Sequence, residues 1–325
     1  MKRLVLLSTL VAVGALSMAV AAFQNPPAGA AGQGREGRGD GRGQGRGRGG
    51  PVVLDIKKVK DNLWMITGGG AGTTAVFQTA PGLVLVDTKL PNTGQLILDK
   101  IRTVTDKPIT TIINTHTHQD HTGSNEFFGT TVEFIAHENT KANMEKMDLF
   151  KGDKSVFIPK KTFKDKLTIG KGNDEIDLFY FGPAHTNGDA FVVFKTLRVM
   201  HSGDAFASKG TPLVDVPNGG SVMGYGKTLA AAASKIKNVD TIINGHINDP
   251  TTFADLKDYA DFNTEFFAWV QAQKKAGKTA EQAGEEYKLP EKWASKGYTA
   301  SATGLFGGYK GNIQTAYNEL DGKKN

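Results

Sequence analysis

The sequence predicts an α+β fold with a C-terminal helical extension, and three observations carry that expectation. Short apolar runs of strand length recur through residues 52–250. Segments with apolar residues at helical spacing fall between them. From Thr251 onward the strand runs stop and helical periodicity takes over.

Taken in order, residues 53–59 and 63–67 read as strands, and Gly68, Gly69 and Gly70 supply a turn before a third at 73–78. Pro81 and Gly82 turn the chain again into LVLVD (83–87), whose nearly unbroken apolar run suits a strand buried on both faces. Residues 94–105 place Leu96, Ile97, Ile101 and Val104 at helical spacing. TTIINT (110–115) is a second buried strand and stops at His116. Further strands are expected at 131–136, 177–180, 190–194 and 241–243, with helices between them, including 225–236. Residues 253–276 set Leu256, Tyr259, Phe262, Phe266 and Val270 on one helical face. Trp293, Tyr298, Phe306 and Tyr317 are aromatic anchors for the remainder.

With 39% hydrophobic residues and interspersed charges, the chain can bury a core. The formal charge of +6 is uneven: Lys2, Arg3 and a Gly/Arg-rich stretch hold five units before Pro51, so the folded part has no general attraction for polyanions. Lys2 and Arg3, the apolar residues 4–20 and the small-x-small triplet Ala19-Val20-Ala21 predict a signal peptide over 1–22. The mature protein is then expected in a periplasmic or extracellular space. Residues 23–51, which include GQGREGRGDGRGQGRGRGG, are expected to be a disordered linker because they have almost nothing to bury. No aromatic residue is interleaved there, so no nucleic-acid partner is expected. No later stretch is long and apolar enough to span a bilayer, so no stable membrane insertion is expected. The chain has no cysteine, which excludes disulfides, a Cys nucleophile, thiolate metal ligands and a lipid-modified cysteine.

The chemistry concentrates in HTHQDH (116–121), directly after a buried strand. On extended backbone His116 and His118 point the same way. Asp120 and His121 follow as the chain turns toward a helix expected to start near Gly123. Three of the chain's seven histidines lie here, which is more than a chance His-rich surface turn would gather. Imidazole and carboxylate without thiolate suit zinc, and also iron or manganese.

HTHQDH resembles the HxHxDH signature of the metallo-β-lactamase superfamily. The likeness continues in order through LVLVDT (83–88), GPAHTNGD (182–189), HSGDAF (201–206) and INGHIND (243–249). It implies a four-layer αββα sandwich over residues 52–250, with a helical extension, 251–325, packed on it. It also implies that His116, His118 and His185 hold one metal, that Asp120, His121 and His246 hold a second, and that Asp204 bridges them. The cofactor would be two zinc ions per chain, with iron or manganese as alternatives. Read singly, His185 and His246 are residues of Gly-rich turns, and an Asp after Gly, as at 204, is commonly a helix cap. His137 reads as a capping or packing residue, and His201 as packing or as support for a ligand. Asp87 is expected to orient loop backbone or support a ligand histidine, and Asp189 to satisfy local backbone. One departure stands out: where the family often has Pro-Gly-His-Gly, this chain has Asn244-Gly245-His246-Ile247.

The function implied is hydrolysis of a small-molecule substrate at a carbonyl (ester, thioester, lactone or lactam) by a hydroxide shared between two metals, with Asp120 holding the nucleophile. The resemblance also admits a dedicated class B β-lactamase of the cysteine-free, B3-like kind. The bridging position of Asp204 weighs toward a general hydrolase. An iron-dependent oxidoreductase of the same fold and a non-catalytic binder working through its Gly/Arg leader are the remaining alternatives. Specificity is assigned to the segments 138–166 and 208–224 and to the C-terminal region. Within them Gly219-Gly220-Ser221 and Tyr225 either line the pocket or form a plain turn and a core tyrosine.

Overall fold

The computed structural model describes residues 52–323. The signal peptide and linker expected over residues 1–51 lie outside the described residues.

The first sheet holds β1 (Leu54–Lys60), β2 (Leu63–Gly68), β3 (Thr74–Gln78), β4 (Leu83–Val86), β5 (Ile109–Ile113), β6 (Glu133–His137) and β7 (Lys161–Phe163), side by side in chain order. β1 to β4 pair antiparallel and β4 to β7 pair parallel. A parallel step needs a crossover, and α1 (Gly94–Arg102), α2 (Gln119–Thr122) and α3 (Glu138–Met144) lie in the three crossovers. The second sheet runs β8 (Lys166–Ile169), β9 (Ile176–Phe179), β10 (Phe191–Phe194), β11 (Val199–His201), β12 (Thr241–Ile243) and β13 (Thr251–Thr252). Here β11 and β12 are parallel and are joined by α4 (Val222–Lys235).

The layers follow from which face of each strand is apolar. Between the sheets, Leu63, Phe77, Val86 and Ile113 of the first meet Leu178, Val192, Phe194 and Ile243 of the second. The outer face of the first sheet (Ile66, Leu85, Ile112) packs on Ile97 and Ile101 of α1. The outer face of the second (Phe191, Val193, Met200) packs on α4 and on α5 (Phe253–Lys275), α6 (Ala280–Glu286), α7 (Glu291–Ala294) and α8 (Gly308–Leu320). The architecture is therefore the α+β, helix–sheet–sheet–helix sandwich expected, with C-terminal helices. α5 is fixed at its start by a reciprocal capping box between Thr252 and Asp255. It buries Leu256, Tyr259, Phe262, Phe266 and Val270, the face read from the sequence. No helix among the described residues is long and apolar enough to cross a membrane.

The expected buried strands form at nearly the expected residues. β7, β8, β11 and β13 carry no comparable sequence signal, being two to four residues long, with lysines at Lys161 and Lys166. One expectation is corrected. The helix placed near Gly123 is α2, and it begins at Gln119, inside the HTHQDH motif. Asp120 and His121 therefore project from a helical turn rather than from the loop before one. The cause is local: Thr122 Oγ1 and the backbone amides of His121 and Thr122 all donate to the His118 carbonyl, closing a turn at once.

This topology decides where a site can form. β2, β4, β5, β9, β11 and β12 run so that their C-terminal ends reach one edge of the sandwich, and ligand sites in such sheets gather outside carboxyl ends of strands. Loops from the two sheets are laced together there by Thr73 N–H to Gly245 O (2.8 Å) and Ala190 N–H to Thr115 O (2.8 Å).

Candidate metal centre

Each expected ligand sits on one of these strand ends. His116 and His118 follow β5, and Asp120 and His121 lie on α2. His185 lies in the β9–β10 loop, Asp204 in a short 3-10 turn after β11, and His246 after β12. All seven converge. Donor atoms of His116, His118, His185 and Asp204 lie within 4.8 Å of one another, as do those of Asp120, His121 and His246. Asp204 stands between the groups: Oδ1 is 3.3 Å from His121 Nε2, and Oδ2 is 3.2 Å from His246 Nε2 and 3.6 Å from His185 Nε2.

The histidines are aimed as well as gathered. His116 Nδ1 is 3.0 Å from Thr115 Oγ1, which leaves Nε2 facing the cluster. His185 Nδ1 donates to the Leu213 carbonyl at 2.7 Å and leaves its own Nε2 facing inward. His118 is turned the other way: Nε2 meets Asp215 Oδ2 at 2.5 Å, and Nδ1 lies 2.9 Å from His185 Nε2. His121 Nδ1 meets Asp87 Oδ2 at 2.7 Å, and its Nε2 faces Asp120, Asp204 and His246. A carbonyl, hydroxyl or carboxylate behind the outer nitrogen sets the tautomer and aims the inner lone pair, as in metal-binding imidazoles generally.

Two buried atoms of the cluster, His116 Nε2 and Asp204 Oδ1, have no hydrogen-bond partner among the described residues. A buried polar atom left unmatched costs about 1–3 kcal/mol, so two in one cluster need a compensating partner. A divalent cation supplies one, and a set of nitrogen and carboxylate donors without sulfur suits zinc, iron or manganese.

The electrostatics point the same way. Burial and the neighbouring imidazoles hold His116 well below the usual histidine range, and burial takes His185 down to about 4. Both rings are therefore neutral and ready to ligate at ordinary pH. Burial alone would raise Asp204, but the adjacent His121 and His246 hold it well below the usual carboxylate range. Burial pulls His121 down, yet the carboxylates of Asp204, Asp87 and Asp120 outweigh it, and the imidazolium is stabilised. The side chains of His118, Asp120 and His246 keep 18, 26 and 32% exposure, which opens the cluster on one side.

Asp87 performs both functions expected of it. Its carboxylate accepts from Thr115 N–H (2.8 Å) and Thr115 Oγ1–H (2.7 Å) and backs His121, at a left-handed φ of 65°. His137 caps α3 by accepting from Asn139 N–H. His201 sits between the Gly203 amide and the Thr73 carbonyl, with both ring nitrogens engaged there. Asp189 accepts from the backbone and hydroxyl of Thr186. Tyr225 is a core residue whose hydroxyl donates to the Asp204 carbonyl at 2.9 Å.

Four residues of the site were not read from the sequence in these positions. Asp215 and Thr115 back His118 and His116, and nothing local marks Asp215, which is 97 positions from its partner. Lys89 is fully buried and donates to the carbonyls of Gly72 (2.7 Å) and Gly68 (3.3 Å), and burial lowers it to about 8. It ties the β2–β3 loop to the strand end bearing Asp87. A lysine directly after an apolar strand was its only signal. Phe306, read as an anchor, lies against His118 and His185.

Gly245, which this chain keeps from the family's pattern, has a geometric role. A Cβ on Gly245 would overlap Asp204 Oδ1, and one on Gly72 would overlap the His121 ring. Gly245→Ala is therefore expected to leave the fold intact and to weaken cation affinity at least about tenfold. Competition against a chromogenic chelator measures it, and unchanged affinity would mean that Asp204 has room to move.

A family model described as the metallo-beta-lactamase superfamily matches residues 67–246, the stretch that contains all seven converging residues. The chain is 28% identical over 154 residues to the 2,4-dinitroanisole O-demethylase subunit alpha of Nocardioides sp. (strain JS1661), a match covering 46% of each. It is 25% identical over 205 residues to the metallo-beta-lactamase type 2 of Elizabethkingia meningoseptica, covering 59% of this chain and 78% of that one. Among solved structures, the inverting sec-alkylsulfatase Pisa1 from Pseudomonas sp. superposes with a TM-score of 0.68 at 17% identity, over 82% of this chain and 50% of that one. The matches thus span about half the length of the demethylase subunit and of the sulfatase.

Proposed function

The chain belongs to the metallo-β-lactamase superfamily, and on that premise we propose that it is a hydrolase of a small-molecule ester, thioester, lactone or lactam, working with two adjacent divalent cations. The carrying observation is Asp204, buried between two groups of inward-facing donors with one oxygen unmatched. His116, His118 and His185 would hold one cation, Asp120, His121 and His246 the other, and Asp204 would touch both. Zinc fits this donor set, with iron or manganese as alternatives. When bound, such a pair supplies Lewis acidity and brings the pKa of water toward neutral.

The chain's own residues then do the following. Asp120, whose side chain is one-quarter exposed, faces the open side and would orient the attacking water and take its proton. Asp87, Asp215, the Leu213 carbonyl and Thr115 keep the four histidines behind it from rotating, so the site does not reorganise during the reaction. Access through the exposed faces of His118 and His246 limits the substrate to one side of the cluster.

The position of Asp204 favours a general hydrolase over a dedicated β-lactamase, since a bridging Asp resembles the site of the superfamily's glyoxalase II-like thioesterases more than that of its β-lactamases. The test is a panel of nitrophenyl ester, thioester, lactone and β-lactam substrates, with alkyl sulfate and nitroaryl methyl ether arms added on account of the similar proteins' names. It is run on zinc-loaded protein and again after chelation. Hydrolysis of at least one acyl substrate, lost on chelation and restored by zinc, is the expected result. Activity that survives complete cation removal contradicts the proposal. Preferential turnover of the β-lactam supports the lactamase reading, and iron in the natively loaded protein supports the oxidoreductase.

A further inference from the structure

We propose that Phe306 is a specificity-determining residue: its ring is an apolar wall beside His118 and His185 that receives the non-reacting hydrocarbon part of the substrate. For the reacting group this rests on the hydrolase reading above; the apolar contact does not.

Phe306 comes from the C-terminal extension, yet its ring lies parallel to the His118 imidazole, with centroids 5.6 Å apart and planes 13° apart. It meets the His185 ring edge-on at 5.6 Å. Its place in the fold is secured from behind. Asn312 of α8 donates to the Pro212 carbonyl at 2.7 Å, one residue from the Leu213 carbonyl that backs His185. Ile313 and Ala316 of α8 are fully buried in the core of the second sheet. The tip itself is different. Phe306 holds a left-handed φ of 55°, and Gly304, Gly307 and Gly308 around it also have positive φ. Strained backbone of this kind persists where the surroundings impose it and gathers at ligand sites.

Neither Leu305 nor Phe306 joins any of the hydrophobic clusters of the described residues, and Leu305 is 70% exposed. The Phe306 ring is thus presented beside His118, on the open side of the donor cluster, without a core to fill. A substrate whose carbonyl reaches Asp120 must lay its remainder across that side, and next to His118 it meets Phe306. A phenyl face offers an anion neither a hydrogen bond nor a favourable charge, so an anionic group there would lose its hydration without compensation. A hydrocarbon chain gains by contact.

The test uses the zinc-loaded full chain and straight-chain carboxylates from acetate to octanoate, with binding measured by calorimetry. In the wild type, affinity is expected to rise with each added methylene by up to about fourfold. Phe306→Ala is expected to flatten that dependence while retaining zinc, and Phe306→Leu to restore most of it. Equal chain-length dependence in wild type and Phe306→Ala would overturn the proposal. So would loss of zinc from Phe306→Ala, which would make the ring a cover for His118 and nothing more. Chain-length-dependent binding without hydrolysis of any acyl substrate would leave the wall standing and remove the hydrolase reading.

Discussion

Replacing Asp204 with alanine is expected to reduce turnover of the best panel substrate about a thousandfold or more and to lower the bound metal per chain. The size of the effect follows from position. Asp204 is the residue within reach of both donor groups, 3.3 Å from His121 Nε2, 3.2 Å from His246 Nε2 and 3.6 Å from His185 Nε2. It is also 3% exposed, so water cannot replace its charge cheaply. Without it, His116 and His185 lose their neighbouring carboxylate, His121 and His246 keep only Asp120 on their inner side, and each proposed cation would lose a ligand. Purified protein assayed for kcat/KM and for metal by elemental analysis checks both halves. Near-normal turnover in Asp204→Ala would remove the bridging role.

Asp87→Asn is the second large effect, and it works at one remove from the cations. Asparagine tolerates the left-handed backbone at this position, so the change is confined to the carboxylate. That carboxylate accepts from Thr115 N–H, Thr115 Oγ1–H and His121 Nδ1–H, all while fully buried. An amide turns one acceptor into a donor, which must then face a donor already in place. The expected outcome is about a 10–100-fold loss of affinity for the cation held by His121 and a stability loss of about 1–3 kcal/mol. Metal competition and thermal unfolding measure the two. Loss of stability without loss of metal affinity would reduce Asp87 to a structural brace for Thr115.

How much of this was legible in the sequence depended on range. β4 is a continuous apolar run buried throughout, so it announces itself, β5 is buried only at Ile112 and Ile113, and HTHQDH marks its own strand end. The inner face of α5 was readable for the same reason, since its repeat lies within one segment. His185, Asp204 and His246 were legible through resemblance, because singly each is an ordinary turn residue. The residues that aim the ligands were harder. Asp215 reaches His118 across 97 positions and Phe306 arrives from the C-terminal extension, and tertiary approaches of that kind leave no local pattern. The start of α2 was placed too late because Asp120 and His121 were read as a turn leading to a helix near Gly123, whereas the His118 carbonyl accepts two amides and closes the first helical turn at once.

The central claim is that two cations bind side by side at the edge where these loops meet. Titration of chelator-stripped protein with zinc, followed by calorimetry and checked by elemental analysis, tests it most directly. The account predicts about two equivalents per chain, falling to one or fewer in His118→Ala. Saturation of the wild-type protein at a single equivalent, or no binding at all, would contradict it.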